Sequence, residues 1–368
     1  MEVIGIICEF NPFHNGHVYF INEVRKKYPN DILVLALSGY FTERGEVSLL
    51  SKYDKTKLAL EYNIDLVLEL PALYTSNSAD IFAFAAVDAL NEAGVSKIVF
   101  GSESNNVEKL KLIAEKFSNK HTQEKIRRLL KEGVNYPTSL SKALNENVKS
   151  NDILGISYIK AINIINNKIE PITIERTNDY NDTESDDEII SATNIRNKIL
   201  NKNNIDKYIP NYRGIEIKEI NYFKYFELLK YKIITEKNLD RFLGVDEGLD
   251  NKIKKEILNS HNIDELINNV KSKRYTNSRL KRMFLHILLG IEKEDIKIKN
   301  TQYRILGFNS IGKEYLKHLK NPNLLYKYNN RIRIIEIVSS LVYDKITRSH
   351  TIEDEISNKP IIKDITEK

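Results

Sequence analysis

Val3-Ile4-Gly5-Ile6-Ile7-Cys8, followed by Glu9-Phe10-Asn11-Pro12-Phe13-His14-Asn15-Gly16-His17, decides the fold. The first six residues form an unbroken apolar run, as expected of a strand buried on both faces by helices packed against a parallel sheet. After the polar turn, residues 18–27 carry apolar side chains at three- and four-residue spacing, the period of an amphipathic helix. The alternation continues outward: residues 32–37, 65–70 and 97–100 read as strands, and residues 55–62 and 79–93 as helices. This pattern predicts an α/β fold, an open parallel Rossmann-like sheet with right-handed crossovers and ligands at the carboxyl ends of its strands. Helical patterns dominate residues 107–165, and residues 169–174 add a strand. A charged loop over 178–188 then leads to a helix over 193–200 that Ser191 can cap. The polar segment 201–214, with Pro210 and Gly214, is the expected boundary between a catalytic domain at 1–205 and a mostly α-helical domain at 206–368. In the latter, residues 222–234, 249–259, 264–270, 278–289 and 311–317 read as helices.

Charge separates the halves. The 368 residues carry 56 Lys+Arg against 51 Asp+Glu, a formal charge of only +5, so the chain as a whole is neither a polycation nor an acidic solvating chain. Residues 1–204 hold 24 basic and 28 acidic side chains, whereas 205–368 hold 32 and 23. Within the second half, residues 271–350 hold 18 basic and 6 acidic side chains, a density that favours a polyanionic partner. Cys8 is the single cysteine, so neither an intramolecular disulfide nor a Cys-rich zinc site can form. No run of about 18 apolar residues occurs, and the first residues do not read as a secretory leader. The expectation is a cytoplasmic protein with no membrane association, in a reducing compartment.

Two motifs carry chemistry. In His14-Asn15-Gly16-His17, at a strand–loop–helix junction, the glycine lets backbone approach a ligand, the helix N-terminus offers unpaired N–H groups, and two imidazoles can donate to phosphate oxygens. Charge developing on an α-phosphate or a pyrophosphate leaving group would be stabilised there. The plainer alternative is that the two histidines cap or pack the loop; a zinc site is weaker, because no third ligand sits at metal spacing on that helix. The second motif, Ile190-Ser191-Ala192-Thr193-Asn194-Ile195-Arg196, places hydroxyls and a guanidinium on a first helical turn, where they can hold β- and γ-phosphates or simply cap a helix.

Together these motifs resemble the nucleotidylyltransferase superfamily. Residues 9–17, Ser38-Gly39-Tyr40-Phe41-Thr42-Glu43-Arg44-Gly45, Glu69-Leu70-Pro71, Phe100-Gly101-Ser102-Glu103, Asn151-Asp152-Ile153-Leu154-Gly155, residues 190–196, Lys273-Arg274-Tyr275-Thr276 and Arg304-Ile305-Leu306-Gly307-Phe308 further resemble the tRNA(Met) cytidine acetate ligase family. That resemblance implies a reaction of acetate with ATP to acetyl-adenylate and pyrophosphate. The acetyl group would then pass to N4 of the wobble cytidine, position 34 of elongator tRNA(Met), giving N4-acetylcytidine. Two residues depart from the family pattern: Glu43 stands where glutamine is expected and Asp152 where a second asparagine is expected.

The resemblance places ATP across the end of the first strand, facing Ile7, Cys8, Glu9, Phe10, Asn11, Pro12, Phe13, His14, Asn15, Gly16, His17, Val18, Tyr19 and Phe20. His14, His17, Thr193 and Arg196 are the expected catalytic residues, with Ser191 beside them on the phosphates. Gly101 leaves room for the nucleotide, Asn151 can read an adenine or ribose edge, and Arg176, followed by Thr177, can hold phosphate or stack on adenine. Mg²⁺ is expected with ATP, with Glu9 and Glu103 as candidate contacts to it or to a ribose hydroxyl. A small acetate pocket near Phe10, Phe13 and Phe41 is conceivable. No protein-bound structural metal and no protein partner are indicated.

Lys271, Lys273, Arg274, Tyr275, Arg279, Lys281 and Arg282 form the densest basic segment. It can neutralise tRNA phosphates and offer a stacking face, with Arg331 and Arg333 extending the surface. No acidic residue lies between 271 and 289, although Leu280, Met283, Phe284 and Leu288 show that the stretch also packs as a helix. Two other readings are a nucleotidylyltransferase that adenylylates a small phosphate ester, which leaves the basic segment unexplained, and an RNA-binding protein with a vestigial nucleotide site.

Overall fold

The computed structural model describes residues 1–364 apart from 135, 145, 147, 177–186, 213, 247, 273, 274 and 298–301. Strands β1 (Val3–Cys8), β2 (Ile32–Ser38), β3 (Leu66–Leu70), β4 (Lys97–Ser102) and β5 (Glu170–Glu175) form the parallel part of one eight-stranded sheet, in the order β5-β4-β1-β2-β3. Helices α1 (Asn15–Lys27), α2 (Lys52–Glu61), α3 (Ala72–Thr75) and α4 (Ala79–Glu92) connect its first four strands. Between β4 and β5 come α5 (Val107–Ser118), α6 (Lys120–Lys131), α7 (Tyr136–Leu144) and α8 (Ser150–Ile165), and α9 (Ala192–Leu200) follows β5.

The run β1-β2-β3 proceeds to one side and β4-β5 to the other, so the order reverses between β1 and β4. Crossovers leave that point in opposite directions and open a crevice beyond the carboxyl ends, the usual ligand position in such sheets. Strand side chains alternate between two cores. Ile4, Ile6, Leu33, Leu35 and Leu37 pack with Ile21 and Val24 of α1 and Leu58 and Ala59 of α2. Val34, Ala36, Leu66 and Leu68 pack with residues of α4, α5 and α8 on the other face.

Beyond residue 205 come α10 (Tyr222–Thr235), α11 (Leu249–Glu256), α12 (Ile263–Val270), α13 (Asn277–Leu289), α14 (Ser310–Leu319), α15 (Arg331–Thr347) and α16 (Ile352–Ser357). The sheet does not end at the 205/206 boundary. Strand β6 (Tyr303–Asn309) pairs antiparallel with β3, and β7 (Leu324–Leu325) and β8 (Ile361–Lys363) pair with β6. The third core joins Tyr40, Phe41, Val47 and Leu73 to the helices α10–α13 and α15.

A buried ionic cluster also ties the halves together. Lys52 of α2 pairs with Glu69 of β3, Glu336 of α15 at 2.9 Å and Glu355 of α16 at 2.7 Å, and Arg304 of β6 pairs with Glu69 and Glu355, both at 2.7 Å. Every member is buried. Charges so far from water persist only when each has its partner, so the cluster fixes the docking of α15 and α16 on the sheet.

Candidate active site

A cleft of about 1640 Å³ opens at the β1/β4 crevice. Its floor includes Ile7, Cys8, Glu9, Phe10, Asn11, His14, Gly16, His17, Tyr19, Phe20, Gly101, Asn151, Arg176 and Arg196, and its facing wall includes Tyr275, Thr276, Arg279 and Arg282. The structure therefore gathers most of the expected nucleotide residues in one place, with part of the basic segment opposite. Pro12, Phe13, Asn15, Val18, Ser191 and Thr193 support the loop without lining the cleft, and Thr177, Lys273 and Arg274 lie outside the described residues.

His14 is the N-cap of α1. Its Nδ1 accepts the Gly16 N–H at 3.0 Å, while Nδ1 of His17 accepts the His14 N–H at 3.2 Å. Each thus fills one half of a capping box. The capping reading of the motif is realised, and both rings also line the cleft. Burial, then the nearby Arg176 and Arg196, lowers His14 to about 3; burial, then His14 and Arg176, holds His17 well below its usual range. Both rings are neutral, and with each Nδ1 accepting, the single proton sits on Nε2. The pair therefore presents two N–H donors beside the positive end of α1 and no free base. The ring centroids lie 3.9 Å apart, and Phe10 and Phe13 hold His17 edge-on at 4.8 Å and stacked at 5.7 Å. A Cβ on residue 16 would lie 2.8 Å from His14 Cε1, so glycine is required first by the histidine ring.

The loop is clamped from several sides. Asn15 donates through Nδ2 to the Glu188 and Lys207 carbonyls at 3.1 and 3.0 Å, and Tyr212 hydroxyl donates to the Phe13 carbonyl. Asn11 Oδ1 accepts the Leu49 N–H at 2.9 Å. Lys55, which the sequence reading missed, is fully buried and donates to the carbonyls of Glu9, Ser38 and Gly39 at 2.9, 2.7 and 2.6 Å, joining the ends of β1 and β2. At the second motif, Arg196 donates to the Asn11 carbonyl at 2.8 Å and to Thr193 Oγ1 at 3.1 Å, and stands 3.6 Å from Glu46. Ser191 is buried as the N-cap of α9, accepting the Asn194 N–H at 3.1 Å; its hydroxyl belongs to the helix.

Arg176 donates to Asn151 Oδ1 at 3.5 Å, and a Cβ on Gly101 would meet Arg176 Cγ at 3.2 Å. Asn151 does not cap α8, which starts after Lys149. Glu103 satisfies that terminus, accepting the Asn151 N–H at 3.1 Å and the Asp152 N–H at 3.0 Å, and is thereby committed to the helix rather than to a metal ion. Among the described residues no group of three or more His, Cys, Asp or Glu is arranged to hold a metal ion. Asp152 accepts from Ser102 Oγ at 2.5 Å and the Glu103 N–H at 3.2 Å, bonds an asparagine oxygen could equally accept. Phe13 and Phe41 are fully buried and do not line the cleft, which removes two walls of the conceivable acetate pocket.

The basic wall is less free than its sequence implies. Arg282 pairs with Glu43 at 2.8 Å, Lys281 with Glu46 at 3.1 Å and Arg279 with Asp246 at 3.6 Å. The compensating carboxylates come from distant parts of the chain. Tyr275 is buried, with the Arg279 guanidinium 4.4 Å above its ring, and Lys271 is exposed. Arg331 is engaged with Asp295 at 3.2 Å and the Gly290 carbonyl at 2.7 Å. No helix among the described residues is long and apolar enough to cross a membrane.

The model of the HIGH nucleotidyl transferase family matches residues 1–354. The tRNA(Met) cytidine acetate ligase of Fusobacterium nucleatum is 39% identical over 351 residues, covering 90% of this chain and 87% of that one. The Clostridium novyi protein of the same name is 35% identical, covering 98% and 99%. Among solved structures, apo TmcAL of Thermotoga maritima superposes with a TM-score of 0.86 at 27% identity, and the form bound with alpha-thio ATP with a TM-score of 0.83, each covering 99% of this chain and 100% of that one. With a HIGH-type histidine pair at the switch point of its sheet and relatives of this identity along nearly its whole length, the chain belongs to the tRNA(Met) cytidine acetate ligase family of HIGH nucleotidyl transferases.

Proposed function

We propose that the protein activates acetate with ATP, forming acetyl-adenylate and pyrophosphate, and transfers the acetyl group to N4 of the wobble cytidine of elongator tRNA(Met). The observation that carries this reading is the His14/His17 pair, with its Nε2–H donors, gathered in one cleft with Arg176, Arg196, Arg279 and Arg282. Acetate attacks the α-phosphate, and the P–O bond to pyrophosphate breaks. Charge accumulates on the phosphoryl oxygens, where His14 and His17 donate hydrogen bonds from Nε2 and the α1 dipole adds its positive end. Arg196, oriented by Asn11 and Thr193, meets the departing pyrophosphate, and Arg176 and Asn151 hold the adenosine end. Thr193 acts through Arg196 and is a positioning residue. Mg²⁺ accompanies the triphosphate as the substrate's own counterion.

Residues 1–205 carry the nucleotide chemistry and residues 206–368 the tRNA surface, with Lys271, Lys273 and Arg274 meeting phosphates, and Arg279 and Arg282 lining the cleft itself. The single cysteine accords with a cytoplasmic setting. Acetate-dependent exchange of labelled pyrophosphate into ATP tests the first half-reaction, and the reading requires exchange with acetate in the absence of tRNA. Exchange that instead depends on a small phosphate ester would support plain nucleotidyl transfer.

A further inference from the structure

Acetyl transfer creates a demand that neither histidine meets. The exocyclic amine of cytidine must lose a proton as it is acylated, and His14 and His17 carry theirs on Nε2 while Nδ1 caps the helix. Of the other carboxylates on the cleft, Glu43 pairs with Arg282, Glu46 with Arg196 and Lys281, Asp80 with Lys160, and Asp246 with Arg279 and Lys293, while Glu175 and Asp240 are exposed to solvent and Asp250 belongs to α11. Glu9 stands apart. It follows directly on β1, lines the cleft beside the phosphate loop, and makes no ion pair among the described residues. Its Oε1 accepts the Glu43 N–H at 2.6 Å and lies 3.5 Å from the Ser38 hydroxyl. Because Glu43 is held in turn by Arg282, the Glu9 carboxylate sits where the nucleotide floor meets the basic wall.

Resting on the acetate-ligase reading above, we infer that Glu9 is the general base of the acetyl-transfer step, not a ligand of magnesium or ribose. The N4–acyl carbon bond forms and the acyl carbon–oxygen bond to AMP breaks. AMP leaves with the electron pair, and the N4 proton passes to the Glu9 carboxylate and then to water. Burial raises this carboxyl to about 7, offset in part by the Glu43 N–H, so it accepts a proton at neutral pH and returns it readily. The groups that face it are Cys8 of β1, Glu43 and Glu46 of the loop between β2 and α2, Lys55 of α2 and Tyr158 of α8.

The test uses the full-length protein, unmodified elongator tRNA(Met) and synthetic acetyl-adenylate in single turnover, between about pH 5.5 and 8.5. In the parent the logarithm of the transfer rate should rise with unit slope to a plateau above about pH 7. Glu9→Gln keeps the acceptor for the Glu43 N–H; it should lower the plateau about 100-fold or more and flatten the profile. Acetate-dependent ATP–pyrophosphate exchange should fall far less, which also shows that the variant folds. Glu9→Asp should restore the sloping limb at a reduced rate. Parallel loss of exchange and transfer would overturn the inference by placing Glu9 on the nucleotide, and an unaltered transfer rate would overturn it directly. A parent that forms no N4-acetylcytidine overturns the underlying reading and this inference with it; an active parent matched by Glu9→Gln overturns this inference alone.

Discussion

Arg282 of α13 reaches Glu43 across the cleft, its Nη1 standing 2.8 Å from the carboxylate and 3.2 Å from the backbone carbonyl of the same residue. Both side chains are about four-fifths shielded, at 19% and 21% exposure. The contact therefore belongs to the joint between the basic helix and the nucleotide loop more than to an open tRNA surface. Arg282→Ala should destabilise the protein by roughly 1–3 kcal/mol, because it leaves a shielded carboxylate unpaired. Glu43→Gln, which retains an acceptor for the guanidinium, should cost under about 1 kcal/mol. Urea titrations of the two variants read the difference, and equal losses would contradict this account of the joint.

Arg196→Lys should reduce acetate-dependent exchange about 100-fold, since a compact ammonium cannot reproduce the planar fork whose separate nitrogens reach the Asn11 carbonyl and Thr193 while facing a phosphate. Thr193→Val should act in the same direction but more weakly. Exchange kinetics at saturating ATP check both.

How much of this was legible beforehand follows from range in sequence. Strands β1 to β5 and helix α1 announce themselves because each signal lies within one short window. The spacing of His14 and His17 matches N-cap and N3, so the reciprocal cap was accessible from the sequence as well. Strand β6 enters the sequence reading only through the family resemblance of residues 304–308, because its partner β3 lies more than two hundred residues away. Helix α15 escaped notice because Arg331–Thr347 is rich in β-branched residues that blur its period. Lys52 and Lys55 look like a solvated helix start, and only the assembled fold shows them buried. The carboxylates facing α13 were hidden for the same reason: residues 43, 46 and 246 are remote in sequence.

Acid should weaken the fold through His14. Its value in the folded protein, about 3, is depressed from the ordinary 6.5, so the unfolded chain binds the proton more tightly. The stabilisation is complete above about pH 6.5 and is lost as pH falls toward 3. At pH 5 the loss from this residue should be about 2 kcal/mol relative to pH 8. His14→Gln should flatten that part of the profile, as read by denaturant titrations at each pH.

Lys52→Met should cost roughly 3–5 kcal/mol, because three carboxylates with one arginine would remain in a dry site. Burial first, and then the neighbouring Glu69 and Glu355, push Glu336 up to about 7 even with Lys52 in place. The deficit should therefore shrink as pH falls and these carboxyls take up protons. A deficit that grows in acid would contradict the pairing.

The central claim is that one cleft joins acetate activation to a tRNA cytidine. Its most direct test is nucleoside mass spectrometry of unmodified elongator tRNA(Met) after incubation with the protein, ATP and isotopically labelled acetate. The account predicts labelled N4-acetylcytidine at the wobble position, dependent on ATP and abolished by His17→Ala. Absence of label in the tRNA, while ATP is still converted to pyrophosphate with some other small acceptor, would contradict it.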